Sequence, residues 1–373
     1  MLPYFTEKYG NASSIYQLGR ESHEALVAAR ETIAEILNAQ PSEIVFTGCG
    51  SESDNLAIRG TVWADGARGK HIITTPIEHH AVGHTCEQLE REFGCEVTYV
   101  PVDEHGVVDP EDVRRAITDE TALITIMYAN NEIGTIEPIG QIAEIANAHG
   151  IPFHTDAVQA GGSLEIDVDE LGVDLLSLSA HKFYGPKGVG LLYVREGTEL
   201  LPMLTGGSQE GGLRAGTENV PYIVGMAEAL KLADASREAN NLHVRTLRDA
   251  LIKGVLDAVP GAYLTGHPAH RLPNNASFVF DYVEGEAILL QLDLYGIAAS
   301  SGSACTTGET EPSHVLKAIG VPMSRAHGSL RFSLGRENTQ AQVDKVLDVL
   351  PQVITKLQQM SPLYCEPEQE SQG

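Results

Sequence analysis

Between Glu43 and His149 the chain alternates short apolar runs with longer segments of helical periodicity, and this alternation leaves few folds open. Glu43–Thr47, His71–Ile77, Glu96–Val102 and Ala122–Tyr128 read as strands. Ser22–Leu37, with Leu26, Ala29, Ile33 and Leu37 on one stripe, reads as a helix, as do Pro110–Ile117 and Ile139–His149. Apolar strands separated by helices predict an α/β fold, its central sheet mainly parallel and covered by helices. Ligands of such sheets gather beyond the carboxyl ends of the strands. The polar residues that close each apolar run are therefore the first candidates for function.

The most informative of these closures lies in Val173–Tyr193, VDLLSLSAHKFYGPKGVGLLY. An apolar run ends in Ser179-Ala180-His181-Lys182, turns through Gly185, Pro186 and Gly188, and returns through Leu191 and Tyr193. The pattern is strand, polar elbow, strand. A lysine buried at a strand end loses solvation as a cation and becomes a neutral, nucleophilic amine; a surface lysine in a hairpin is the plain alternative. Upstream, Phe153–Gln159 is a second strand-like run that ends in Asp156, with Gln159 three residues on. Pyridoxal 5′-phosphate (PLP) needs an amine to hold its aldehyde and a carboxylate to keep its ring nitrogen protonated. Lys182 and Asp156 suit those two tasks.

Other stretches carry chemistry of their own. Gly48-Cys49-Gly50-Ser51 leads into a helical segment, a place where free N–H groups can meet an anion, and Ser51-Glu52-Ser53-Asp54 has the form of a capping box. The third glycine of a dinucleotide fingerprint is missing. His79 and His80 end a strand; His80 and His84 share the i,i+4 spacing of metal ligands, but without the glutamate of a zinc protease. Cys305 sits in a small, polar, glycine-containing stretch, Ser300–Gly308, which favours an exposed thiol over a structural one. Arg331 falls inside an apolar strand pattern, where either a bidentate carboxylate clamp or an ion pair would account for it. Val220 to about Val259 reads as one long helix. Asn275–Phe280, Ile297–Ser300 and Leu330–Leu334 read as strands, Glu284–Tyr295 and Thr339–Met360 as helices.

The 373 residues carry a net charge of −26, which disfavours nucleic acid and anionic membranes as partners and leaves a phosphate to be held by local N–H groups and hydroxyls. Five cysteines (49, 86, 95, 305 and 365) without paired short spacings argue against a disulfide framework. With neither an export leader nor an apolar run of membrane length, the expected location is the cytoplasm.

The stretches FTGCGSESDN (46–55), IEHHAV (77–82), NNEIGT (130–135), HTDAVQ (154–159), SAHKFYGPKGVG (179–190), RAGTEN (214–219), SSGSACTTGETEPSHVLKAIG (300–320) and LRFSLGR (330–336) follow one another in an order that resembles the cysteine desulfurases of the NifS/IscS type, in the class V aminotransferase group. The resemblance implies a PLP-dependent transferase of fold type I. It implies a large cofactor-binding domain over 1–240 and a smaller α+β domain over 241–360, which carries the cysteine loop 300–312. The acidic tail 361–373 is expected to be disordered. Relatives carry a strand and an Asp-Asn-Ala-Ala-Thr-Thr-like stretch before their equivalent of Gly10–Ser14. The opening here therefore reads as a truncated arm (1–19) or a misassigned start.

Residue by residue, the resemblance assigns Lys182 to the cofactor aldehyde and to proton transfer, and His79 to stacking on the ring. Asp156 goes to the ring nitrogen and Gln159 to the ring hydroxyl. Gly50, Ser51, Ser179, His181 and the neighbouring subunit's copy of Thr217 go to the phosphate, which implies a homodimer with shared sites. Asn131 and Arg331 go to the L-cysteine substrate, Asn131 also lying near the cofactor. Cys305 receives sulfur as a persulfide for iron–sulfur scaffold or other acceptor proteins, and could transiently ligate a nascent cluster. A selenocysteine lyase or another class V enzyme, and a non-catalytic sulfur-relay or scaffold protein on the same fold, are the competing readings.

Overall fold

A computed structural model describes residues 1–64, 69–302 and 312–361. Cys305, most of the loop 300–312 and the tail after Ser361 lie outside the described residues. The chain forms two units. The first takes 1–103, 107–131 and 136–238; the second takes 104–106, 132–135 and the residues after 238. The two short excursions have no signature in the sequence pattern.

The first unit is built on seven strands: β1 (Ile44–Thr47), β2 (His71–Thr74), β3 (Glu96–Tyr99), β4 (Thr121–Thr125), β5 (Phe153–Asp156), β6 (Leu175–Ser179) and β7 (Gly190–Val194). Their order is β1-β7-β6-β5-β4-β2-β3. β2 through β6 are mutually parallel, while β7 runs antiparallel to both β6 and β1. Strand alternation separates two apolar faces. Phe46, Ile73, Ile124, Phe153, Leu176 and Leu191 join the core beneath the helices Gln17–Leu37, Ile139–Ala148 and Val220–Ala235. Ile72, Leu123, Leu175 and Leu192 face the helices Gly50–Ala64 and His80–Phe93. Six strands are fully buried; only β3, at the edge, is partly exposed.

The second unit holds a three-stranded antiparallel sheet, ordered β10 (Ser329–Ser333), β9 (Asn275–Phe280), β8 (Ala262–Leu264). Phe278, Phe280, Leu330 and Phe332 pack there with Leu247 and Leu251 of the helix Arg237–Ala258 and with Leu350 and Ile354 of the helix Gln340–Met360.

Two expectations fail. The long helix from Val220 is two helices, broken at Ser236, where the backbone leaves helical geometry (φ −107°, ψ 2°) and the hydroxyl competes with the residue's own N–H for the Leu232 carbonyl. Ile297–Ser300 forms no strand: only Ser300 pairs, as an isolated bridge to Arg331.

Candidate active site

Functional side chains of the first unit converge at the carboxyl ends of its parallel strands. Asp156 is the last residue of β5 and pairs in register with Ser177 of β6. Its Oδ1 accepts the Val158 N–H at 2.9 Å, a turn that fixes the carboxylate where the chain leaves the sheet. Burial pushes its pKa to about 6, while the Val158 N–H and the charge of Lys182 pull the other way. The amine and the carboxylate expected to flank a cofactor therefore do act on one another.

Lys182 itself stands on the short 3-10 turn Ala180–Phe183 that follows β6, and it is exposed. Of the two readings of this lysine, the exposed position on a turn is the one the chain adopts. The elbow that carries it is as read: β6 and β7 pair antiparallel, with Ser179 opposite Gly190.

His79 precedes the helix His80–Phe93 as its N-cap; its Nδ1 accepts the Ala81 N–H at 3.1 Å. That bond leaves Nε2 to carry the proton of the neutral ring. The adjoining Glu78 is buried. Its Oε1 accepts from Thr75 Oγ1 (2.7 Å) and Met127 N–H (3.0 Å), tying the histidine loop to the chain beyond β4, and burial raises it to about 8. Asn130, whose Nδ2 donates to the Ile77 carbonyl at 2.8 Å, fixes the same loop from the other side and positions half-buried Asn131 next to it. His80 and His84 stack at 4.5 Å between ring centroids. Side-chain atoms of Asp54, His79 and Asp156 lie within 4.8 Å of one another.

The anion cradle forms where the helix Gly50–Ala64 meets the elbow. A Cβ at Gly50 would lie 2.8 Å from Val158 Cγ2 and 3.3 Å from Ser179 Cβ, so the bare backbone is what lets this helix start approach the elbow. Ser179 Oγ and His181 Nδ1 are 3.0 Å apart there, and Ser51 is exposed in the helix's first turn. Burial and the charges of Lys182 and Lys187 hold His181 below its ordinary pKa. Thr217 is exposed and lines, with Thr47, Gly48 and Arg214, a cavity of about 250 Å³. Gln159 is half-buried in the turn after β5. An imidazole, a carboxylate and an amine beside a helix start lined by bare backbone and hydroxyls are a donor set that would fit PLP.

The capping box does not form. Glu52, not Ser51, serves the helix start, its Oε2 accepting the Gly48 N–H at 2.7 Å. Asp54 is instead buried behind Asp156. The sequence did contain a clue: Asp54, Ala57, Ile58 and Thr61 share one helical stripe, and all four are buried.

The second unit carries Arg331, half-buried on β10 and paired by its backbone with Ser300. Its charge acts on buried Glu132, whose Oε2 accepts from Ser313 Oγ at 2.5 Å and which burial raises to about 7.

Comparison with known proteins gives this arrangement its relatives. Residues 1–346 match the family model described as aminotransferase class-V. A cysteine desulfurase IscS of Methanosarcina thermophila is 56% identical over 97% of this chain and 89% of its own length. Among solved structures, a NifS-like protein superposes with a TM-score of 0.89 at 38% identity, covering 95% of this chain and 94% of that one. SspA in complex with cysteine superposes with a TM-score of 0.79 at 37% identity, covering 90% and 94%. The chain belongs to the class-V aminotransferase family, within its cysteine desulfurases of the NifS/IscS type.

Proposed function

We propose that the protein is a PLP-dependent cysteine desulfurase that converts L-cysteine to L-alanine and takes the sulfur onto Cys305 as a persulfide, for delivery to iron–sulfur cluster assembly. The observation that carries this reading is the buried Asp156 carboxylate under the influence of Lys182, beside His79 and a glycine-lined anion cradle. Bound there, PLP supplies a protonated ring able to accept the electrons of a bond broken at the substrate Cα.

The chain's own residues do the rest. Asp156 holds the proton on the ring nitrogen, and the Val158 N–H keeps that carboxylate aimed. Lys182 would hold the cofactor's aldehyde and, as a free amine, would be the base that takes the substrate Cα proton. His79, its Nδ1 held by the Ala81 N–H, would face the ring and offer Nε2 for proton movement. Gln159 takes the ring hydroxyl; Gly50, Ser51, Ser179 and His181 take the phosphate. Asn131 and Arg331 are assigned to the substrate carboxylate. The Cys305 thiolate attacks the substrate sulfur: the Cβ–S bond breaks, an S–S bond forms, and the carbon fragment keeps the electron pair, gains a proton and leaves as alanine.

A homodimer in which Thr217 serves the partner's phosphate is part of the proposal, supported by the exposure of Thr217 at the rim of its own cavity. A cytoplasmic setting is supported by the free thiols Cys49, Cys86 and Cys95. No helix among the described residues is long and apolar enough to cross a membrane.

The experiment is borohydride reduction of PLP-loaded protein followed by peptide mapping. The account predicts a single pyridoxyl group on Lys182 and a colourless Lys182→Ala variant without turnover. A group on Lys187, or a Lys182→Ala variant at the normal rate, would overturn the assignment.

A further inference from the structure

Asp54 has no part in the roles above, yet it is the most enclosed carboxyl of the site. The helix Gly50–Ala64 covers the sheet face on which alternation sets His154 and Asp156 of β5 beside Ser177 of β6, and it points Asp54 at them. Asp54 is 1% exposed. Its Oδ1 is buried with no hydrogen-bond partner among the described residues, and stands 3.7 Å from His154 Nε2.

The groups around it decide its charge. His154 offers no cation: Thr125 Oγ1 meets its Nδ1 at 2.8 Å, Ser177 Oγ meets its Nε2 at 2.9 Å, and burial drives its pKa to about 3. His79, with Nδ1 accepting from the Ala81 N–H, is a neutral ring. The titratable groups that face it are Asp156 from β5, Glu78 from the loop before the next helix, itself raised to about 8 by burial and so neutral at neutral pH, and the thiol of Cys49 from the turn ahead of its own helix. Burial first, and then the Asp156 carboxylate, disfavour the Asp54 anion, and the Ser177 hydroxyl alone opposes them. Two carboxylates this close in a dry interior do not both ionise. Asp156 has the Val158 N–H and the Lys182 charge to stabilise its anion; Asp54 has neither.

We propose that Asp54 is a positioning residue that stands behind Asp156 as a neutral carboxylic acid, so that the pair carries one negative charge and that charge rests on Asp156, facing the cofactor's ring nitrogen. The inference rests on the PLP reading above. No proton is consumed: Asp54 keeps its own throughout, and the proton on the ring is a separate one.

Asparagine reproduces the neutral acid in shape, so Asp54→Asn is the test. The first arm is the infrared difference spectrum between wild type and Asp54→Asn at neutral pH, recorded on protein with and without PLP. A protonated-carboxyl stretch present in wild type and missing in the variant is expected; its absence from wild type overturns the proposal. The second arm is a pH titration of the visible band of the PLP-loaded protein. The two proteins are expected to agree within about 0.3 unit, whereas removal of a real anion would lower the variant's midpoint by about one unit or more, which would refute the neutral-acid state. If the variant does not fold, 13C spectra of aspartate-labelled wild-type holoprotein read the same point. One aspartate held protonated from about pH 5 to about pH 8 supports the inference, and full ionisation of every aspartate sinks it. A chain that never gains a visible band would contradict the PLP reading, while the infrared arm on the unloaded protein still reads Asp54.

Discussion

At the scale of single residues the site depends on small, specific allowances. Gly50 is one: with Val158 and Ser179 pressed against it, a methyl group must push the helix start away from the elbow. Gly50→Ala is therefore expected to weaken PLP binding about tenfold or more with the fold intact, measured by equilibrium dialysis; unchanged affinity would remove Gly50 from the cradle. The cysteines divide the same way. Cys86 is buried, and burial with nearby Glu78 pushes its thiol pKa up, whereas Cys49 is exposed. A maleimide pulse on native protein should modify Cys49 and spare Cys86 until the chain is unfolded; early loss of Cys86 would contradict the packing. Sequence pattern marked Lys182 and Asp156 because each closes an apolar run, while the choice of His79 over His80 came from the family resemblance. It misread Asp54, because a Ser-x-x-acid spelling at a helix start satisfies two rules at once, and only packing against β5 decides between a cap and a buried acid.

At the scale of elements, periodicity was legible wherever one face is buried. The helix Gln17–Leu37 buries Leu26, Ala29, Ile33 and Leu37 as its stripe demands. Ile33, fully buried, is its centre: Ile33→Ala is expected to destabilise the first unit by about 2–5 kcal/mol, read as a lower urea midpoint. A loss below about 1 kcal/mol would mean the site collapses freely. Elements failed to show where a local hydrogen bond overrides propensity, as Ser236 does in splitting one helical pattern into two helices. They failed also where pairing is too short to leave an alternation, as at Ser300. The crossing of the chain into the second unit at 104–106 and 132–135 had no signal at all, since a few residues carry no period.

For the whole molecule, the acidic composition continues into the interior. Glu137 is buried, its Oε2 accepting the Val108 N–H at 2.9 Å and its Oε1 without a partner among the described residues; burial raises it from 4.5 to about 8. The folded chain thus holds this proton more tightly than the unfolded one. Its contribution is complete below about pH 4.5 and is lost as pH rises through about 8. Glu137→Gln should flatten that slope and gain roughly 2–4 kcal/mol over wild type near pH 9 relative to pH 5, seen in paired urea titrations; parallel pH profiles would contradict it. The central claim, one amine and one thiol acting on a single amino acid, has its most direct test in a single turnover. Anaerobic PLP-loaded protein is given L-cysteine, and alanine and the mass of the Cys305 peptide are measured together. The account predicts one alanine for each sulfur atom added to that peptide, and neither product from Lys182→Ala; alanine without sulfur on Cys305, or sulfur released with pyruvate and ammonia in place of alanine, would contradict it.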